Sequence, residues 1–402
     1  MSKESFKIAK AIKERSRLGI YSTFPQTLCE KLHKLKNTSC ENKLFIPKDQ
    51  YEEEAFTKVL ESLRLLWVET YELNNCFEVF KKYVEFEPIL FKGLRYRDHF
   101  IHQYLVFLTG LPIINEFKSG FENNLSQVTM TTRKMIDIDK TWLLSSTYHD
   151  IGYPTEQFEN WLKIFFSEFL KVKINPTTID MSRILSERNY LASLYALSEY
   201  AFVVYKKVNP MLRQLDIFKM MMEKFLERNH GIISALILLD NYDSDLNSDS
   251  ESYKKEILLA QVLPSALAIA MHTPNTWNTN ILPRISFEKD PITFLLIYCD
   301  TVQEWGRPLI PYSFQQGPSV PLITHYEIGE NRVSITLSYD IIEETTLPDG
   351  STSTAFDLKK MQISQLFDKL CSSSVKFEIK LISNDKDYGE KVFRRACRRV
   401  KS

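Results

Sequence analysis

Between Phe91 and Trp305 the chain carries one helical-period segment after another, and several are apolar on nearly every side. "FENWLKIFFSEFLKV", "NYLASLYALSEYAFVVYKKV", "GIISALILLDNY" and "KKEILLAQVLPSALAIAMH" leave too few polar positions for a solvated face, so they are expected to be buried helices. Such helices have to be enclosed by other helices, which makes the class mainly α. "EEEAFTKVLESLRLLWVETYELNNCFEVFKKYVEF" spaces its apolar residues by three and four, so residues 1–90 are expected to form an N-terminal helical segment. "DNYDSDLNSDSESYKK" is too polar to bury area and is expected to be a solvated loop. After Arg307 the texture changes. "RPLIPYSFQQGPSVP" is proline-rich and aperiodic, "RVSITLSYDII" and "VKFEIKLIS" alternate as half-buried strands do, and "DLKKMQISQLFDKLCSS" is helical between them. Residues 91–317 are therefore expected to form the helical domain, with 318–402 a small α+β domain appended to it.

Charge excludes little but sets a direction. Lysine plus arginine equals aspartate plus glutamate at 51 each, which gives no global attraction to nucleic acid or to a membrane surface. No apolar run reaches the roughly 18–20 residues of a spanning helix. The start, "MSKESFKIAKAIKERSRLGI", is charged and lacks the apolar stretch of a secretory signal. The six cysteines, at 29, 40, 76, 299, 371 and 397, contain no CxxC pair, so reduced thiols and a cytoplasmic setting are expected. With 11 glycines and neither a Walker nor a dinucleotide-binding pattern, phosphate binding by a glycine loop is not expected.

The chemistry lies in the histidines. Five of seven fall in the long helical region, each near an end of an apolar segment: His99, His102, His149, His230 and His272. Asp150 follows His149 directly in "YHDIGYP", and Asp300 closes "PITFLLIYCD". A carboxylate ending so apolar a run carries a large desolvation cost unless it is paired or bound to metal. A single histidine on an apolar face is usually a satisfied core residue; this whole series in helical surroundings is poorly explained that way.

The order His, His-Asp, His, His, Asp resembles the HD-domain metal-dependent phosphohydrolases. The matching stretches are "HQYLV" with His102, "HDIG" with His149 and Asp150, "RNHGIISALILL" with His230, "AIAMHT" with His272 and "LLIYCDTVQEWGR" with Asp300. The resemblance covers about residues 91–307. It implies an HD-domain helical bundle as the core. It also implies His102, His149, Asp150, His230, His272 and Asp300 as metal ligands, with Asp150 bridging two divalent cations (Mn, Fe, Co, Mg or Zn). Imidazole and carboxylate suit such ions, and no thiolate is among them. Two cations about 3.5–4 Å apart can hold a phosphate and activate a water for in-line attack. The implied activity is hydrolysis of a small nucleotide-like phosphate ester. The 80 residues from Asp150 to His230 exceed the compact family pattern and are expected to fold clear of the site. Tyr153 stands where many relatives have lysine.

Weaker candidates surround this set. His99, on the same helix face as His102, could act as an outer base or proton donor, or simply as a hydrogen-bonding neighbour. Lys92, Arg95 and Arg97 precede the first ligand and could meet substrate phosphates, as could Arg307; Glu304 could orient a ligand. Tyr153 and Trp277 could stack on a base or only pack. Two other readings use the same residues: a di-iron oxygenase, and a non-catalytic nucleotide sensor that signals through the appendage.

Overall fold

A computed structural model describes residues 55–90, 99–129, 131–156, 180–187, 190–245, 256–277, 281–303, 322–339, 344–346, 352–383 and 390–394. Among them the chain is mainly α, with twelve α-helices and a small set of strands that lies mostly near the C-terminus. The helices are α1 (Ala55–Arg64), α2 (Asn74–Leu90), α3 (His99–Thr129), α4 (Ile138–Tyr148), α5 (Met181–Glu187) and α6 (Tyr190–Lys206). They continue as α7 (Gln214–Leu226), α8 (His230–Asp245), α9 (Leu263–Met271), α10 (Pro274–Trp277), α11 (Pro291–Val302) and α12 (Ala355–Lys369). No helix among the described residues is long and apolar enough to cross a membrane.

The centre of the bundle is α9. Every residue of it is buried, and it packs on α4, α6, α8 and α11. This is what its composition dictates, since a helix of leucine, alanine, isoleucine and methionine is stable only when enclosed. In α4 the polar residues Ser145, Ser146 and Thr147 are also fully buried. Each hydroxyl donates to the carbonyl four residues earlier, so the polar stretch needs no outside partner. Asp137 caps the start of α4 by accepting from the Lys140 amide at 3.1 Å. At its far end Tyr148 lies against Trp67 and Phe80 and donates its hydroxyl to the Cys76 carbonyl at 2.6 Å. The end of α4 is thereby pinned to the helices before it.

Three expectations change. Helix α6 buries Leu194, Leu197, Ala201, Val204 and Tyr205 against the bundle, and Tyr205 donates to Asp290, the cap of α11, at 2.6 Å. That helix is not buried all round, because Leu191 and Tyr195 are about half exposed. The polar run beginning at Asp240 is helical as far as Asp245, since α8 continues through it; residues 246–255 lie outside the described residues. "FENWLKIFFSEFLKV" lies outside them as well. Cys76 and Cys299 are buried and free, whereas Cys371 is in a disulfide, so the expectation of reduced thiols fails at that position.

The strands are β1 (Ile285–Ser286), β2 (Leu322–Gly329), β3 (Arg332–Tyr339), β4 (Glu344–Thr346), β5 (Thr352–Thr354), β6 (Leu370–Cys371), β7 (Lys376–Ser383) and β8 (Glu390–Arg394). A four-stranded sheet has the order β2-β3-β7-β8, with β3 and β7 parallel across the α12 connection. Phe377, Ile379 and Leu381 alternate inward along β7, and Phe377 packs against Phe287, Phe294 and Tyr298. Tyr298, on α11, donates to the Glu378 carbonyl at 2.9 Å. The sheet is thus docked on the helix that carries Asp300.

A second tie lies between β1 and β6, which pair in parallel. Just beyond β1, Glu288 accepts from Ser372 Oγ, the Ser373 and Ser374 amides and Ser374 Oγ at 2.7–2.9 Å, and from Ser286 Oγ at 2.7 Å. Burial pushes this carboxyl up, but the hydrogen bonds outweigh it and bring it to about 2. Because its folded pKa lies below the unfolded value, the stabilisation is present above pH 4.5 and is lost as pH falls through about 2. Glu288→Gln should destabilise the chain by about 1–2 kcal/mol at neutral pH, allowing for partial exposure. In urea titrations the gap between variant and parent should shrink as pH falls below 4; a gap constant with pH would contradict this role.

Candidate metal centre

Six of the side chains singled out in the sequence come from five elements and meet in one place. His102 sits in the first turn of α3, and Asp300 in the last turn of α11. Their Nε2 and Oδ1 are 2.8 Å apart. His149 is the residue that ends α4, and Asp150 follows it in the turn. His230 opens α8, where Asn229 accepts from the Ile232 amide as a cap and donates to Thr273 Oγ1. His272 ends α9.

His149 and His272 are held alike. The Nδ1 of each lies 2.8 and 2.6 Å from a carbonyl three residues back, Ser146 and Ile269. A carbonyl can only accept, so both rings carry the proton on Nδ1 and turn Nε2 inward. The same contact satisfies a carbonyl that a helix end would leave open. Both rings stand at helix C-termini, where the backbone favours positive charge.

Two donor groups result. In one, His102, His149 and Asp300 gather with donor atoms all within 4.8 Å. His149 Nε2 lies 3.4 Å from Asp150 Oδ2 and 3.7 Å from Asp300 Oδ1, and makes no hydrogen bond. In the other, Asp150 Oδ1 lies 3.5 Å from His230 Nε2 and 3.4 Å from His272 Nε2, which are 3.2 Å from each other. A triangle with these sides places its centre about 1.9 Å from every corner, close to the roughly 2.0–2.2 Å of nitrogen and oxygen bonds to a metal such as zinc. The buried residues His102, His149, Asp150, His272 and the partly exposed Asp300 could therefore hold a metal ion.

The electrostatics favour positive charge here. Burial pushes His149 down, but Asp150 and Asp300 outweigh it and raise the ring to about 10. Burial raises Asp300, yet its hydrogen bond to His102 and the nearby His149 ring hold it well below the usual carboxylate range. His272 is instead lowered, by burial and by the His149 and His230 rings, so it presents a neutral lone pair. Cys299, next to Asp300, is buried with its thiol pushed well up, which keeps it from acting as a thiolate.

Glycines permit this closeness. A Cβ on Gly231 would lie 2.8 Å from the Ile269 carbonyl and 3.2 Å from His272 Nδ1. A Cβ on Gly152 would lie 2.6 Å from the His230 carbonyl. Gly231→Ala should push α8 from α9, separate the His230 and His272 rings, and cost about 1–3 kcal/mol. Thermal unfolding and Mn²⁺ titration should both show the loss; an unchanged melting point and metal affinity would refute the steric reading.

One residue of the site was missed. Glu156, six positions after Asp150, places Oε2 2.7 Å from His230 Nδ1. Its signal in the sequence was only a carboxylate soon after "HDIGYP", in what reads as a turn. Tyr153 does reach the site, with its ring edge-on to His230 at 5.2 Å. His99 opens α3, but its side chain is outside the described residues, as are Lys92, Arg95, Arg97, Glu304 and Arg307 and the side chain of Trp277.

Compared with known proteins, the chain matches no protein-family model, no curated protein and no solved structure. The functional reading rests on the site itself and on the order of its motifs.

Proposed function

We propose that the chain is a metal-dependent phosphohydrolase of the HD type, acting on a small nucleotide-like phosphate ester with two divalent cations. The observation that carries this reading is the orientation of Asp150: Oδ2 faces His149, and Oδ1 faces His230 and His272. A carboxylate presenting one oxygen to each of two donor groups is what a bridging ligand has to do. His102, His149 and Asp300 would complete one half of the centre, and His230 and His272 the other. All are nitrogen or oxygen donors, which fits Mn, Fe, Co, Mg or Zn. When bound, such a pair supplies a water activated near neutral pH and a clamp for the phosphate oxygens.

The protein contributes placement. Buried His102, His149 and His272 make the floor, while the side chains of Asp300 and His230 keep 27% and 16% of their surface exposed. The opening therefore lies on the Asp300–His230 side, where a phosphate ester would enter. No serine or cysteine nucleophile is needed for water attack. The test is a panel of nucleoside mono-, di- and triphosphates and cyclic nucleotides, assayed for phosphate release after chelation and readdition of each metal. Release restored by a divalent metal supports the reading. Nucleotide binding without turnover favours a sensor, and oxygen consumption with iron favours an oxygenase.

A further inference from the structure

We infer that Glu156 is a positioning residue that sets the metal affinity of the His230–His272 half of the centre. This rests on the two-cation reading of the site. An ionised carboxylate can only accept, so the 2.7 Å contact makes His230 Nδ1 the donor, and in the neutral ring Nε2 is then the lone pair. That lone pair faces His272 Nε2 at 3.2 Å, and the proton on His272 is committed to the Ile269 carbonyl. With both rings neutral in these tautomers, the two lone pairs repel unless a proton or a metal ion lies between them. Glu156 thus keeps His230 in the one tautomer that serves as a ligand, and its charge makes the ring a stronger donor.

The chain holds Glu156 there through the same helix that carries His230. The Gly152 amide donates to Ser234 Oγ on α8 at 2.8 Å, fixing the turn against that helix. The Tyr153 amide returns to the Asp150 carbonyl at 2.9 Å and the Thr155 amide to the Gly152 carbonyl at 3.1 Å. Tyr153 meets the His230 ring edge-on at 72°, which fixes the ring's other side. The stretch beginning at Asp150 therefore presents a carboxylate to both donor groups and then a second carboxylate behind His230. His149, by contrast, is buried and uses a backbone carbonyl for its Nδ1. The Glu156 side chain keeps 35% of its surface exposed. Both halves reach solvent at their edges, through Asp300 and through His230, and on the His230 edge Glu156 is the side chain whose change can tune the ring.

The experiment is isothermal titration of the metal-stripped full-length chain with Mn²⁺, for the parent, Glu156→Gln and Glu156→Ala, with melting temperatures recorded alongside. The parent should take up two equivalents. Glu156→Ala should bind the first as the parent does and the second about 10–100-fold more weakly. Glu156→Gln keeps an acceptor without the charge and should fall between. If both variants bind two equivalents with parental affinities, Glu156 has no such role while the two-cation reading stands. Equal weakening of both equivalents with a lowered melting point would make Glu156 merely structural and overturn the inference. A parent that binds fewer than two equivalents removes the two-cation reading, and this inference with it.

Discussion

Asp150→Ala is expected to lower metal-stimulated phosphate release by about a thousandfold or more and to abolish uptake of the second Mn²⁺ equivalent. The size follows from what the residue does in two places. Its Oδ1 is the corner shared by His230 and His272, and its Oδ2 is the nearest carboxylate oxygen to His149. In the proposed centre the two halves would lose their common ligand without it. Transition-state stabilisation by bound metals is worth several kcal/mol, and each 1.36 kcal/mol is tenfold in rate. The fold should survive, because α4 is fixed by Tyr148, Trp67 and Phe80 independently of the carboxylate. Asp150→Asn keeps the shape and should still lose most activity, since an amide is a poor bridge between cations. Circular dichroism and melting curves separate loss of the site from loss of the fold. Undiminished release by a folded Asp150→Ala chain would remove the residue from the centre.

The second large effect is an inversion of pH dependence by metal. In the metal-free chain the His149 ring sits at about 10 because Asp150 and Asp300 favour its charged form. The ordinary unfolded value is about 6.5, so the folded value is raised. Stability from this charge is fully present below about pH 6.5 and is lost as pH rises through about 10. The loss should be on the order of several kcal/mol, seen as a falling melting temperature. With metal the sign reverses, because ligands bind the cation only after giving up their protons, so stabilisation by metal grows with pH over the same range. His149→Gln should flatten the metal-free profile. Melting curves from pH 6 to 10, with chelator and with Mn²⁺, give the comparison. Parallel slopes in the two series would show that His149 does not exchange a proton for a cation.

Much of this candidate site was legible in the chain because its His and Asp side chains stand at helix ends. His149, His272 and Asp300 each close an apolar run, and a polar residue in that place has to find a buried partner. Helix ends in turn leave carbonyls open, which is why the rings of His149 and His272 turn back on them. Glu156 was not legible, because its partner lies 74 residues away and nothing local in "GYPTE" announces it. Glu288 is similar: four of its five donors lie 84–86 residues later, across a pairing of two-residue strands. The exposed side of α6 was misjudged for a related reason. A run such as "NYLASLYALSEYAFVVYKKV" shows how much apolar surface a helix has, but not which neighbours arrive to cover it. The mainly α class survived these errors because it depends on period and composition, which are local.

Anomalous X-ray scattering at the manganese edge, from crystals soaked in Mn²⁺, tests the two-cation centre most directly. The predicted result is two peaks about 3.5–4 Å apart, one on each oxygen of Asp150. One of them should be shared with His102, His149 and Asp300, and the other with His230 and His272. A single peak, or none within bonding distance of Asp150, would contradict the two-cation centre.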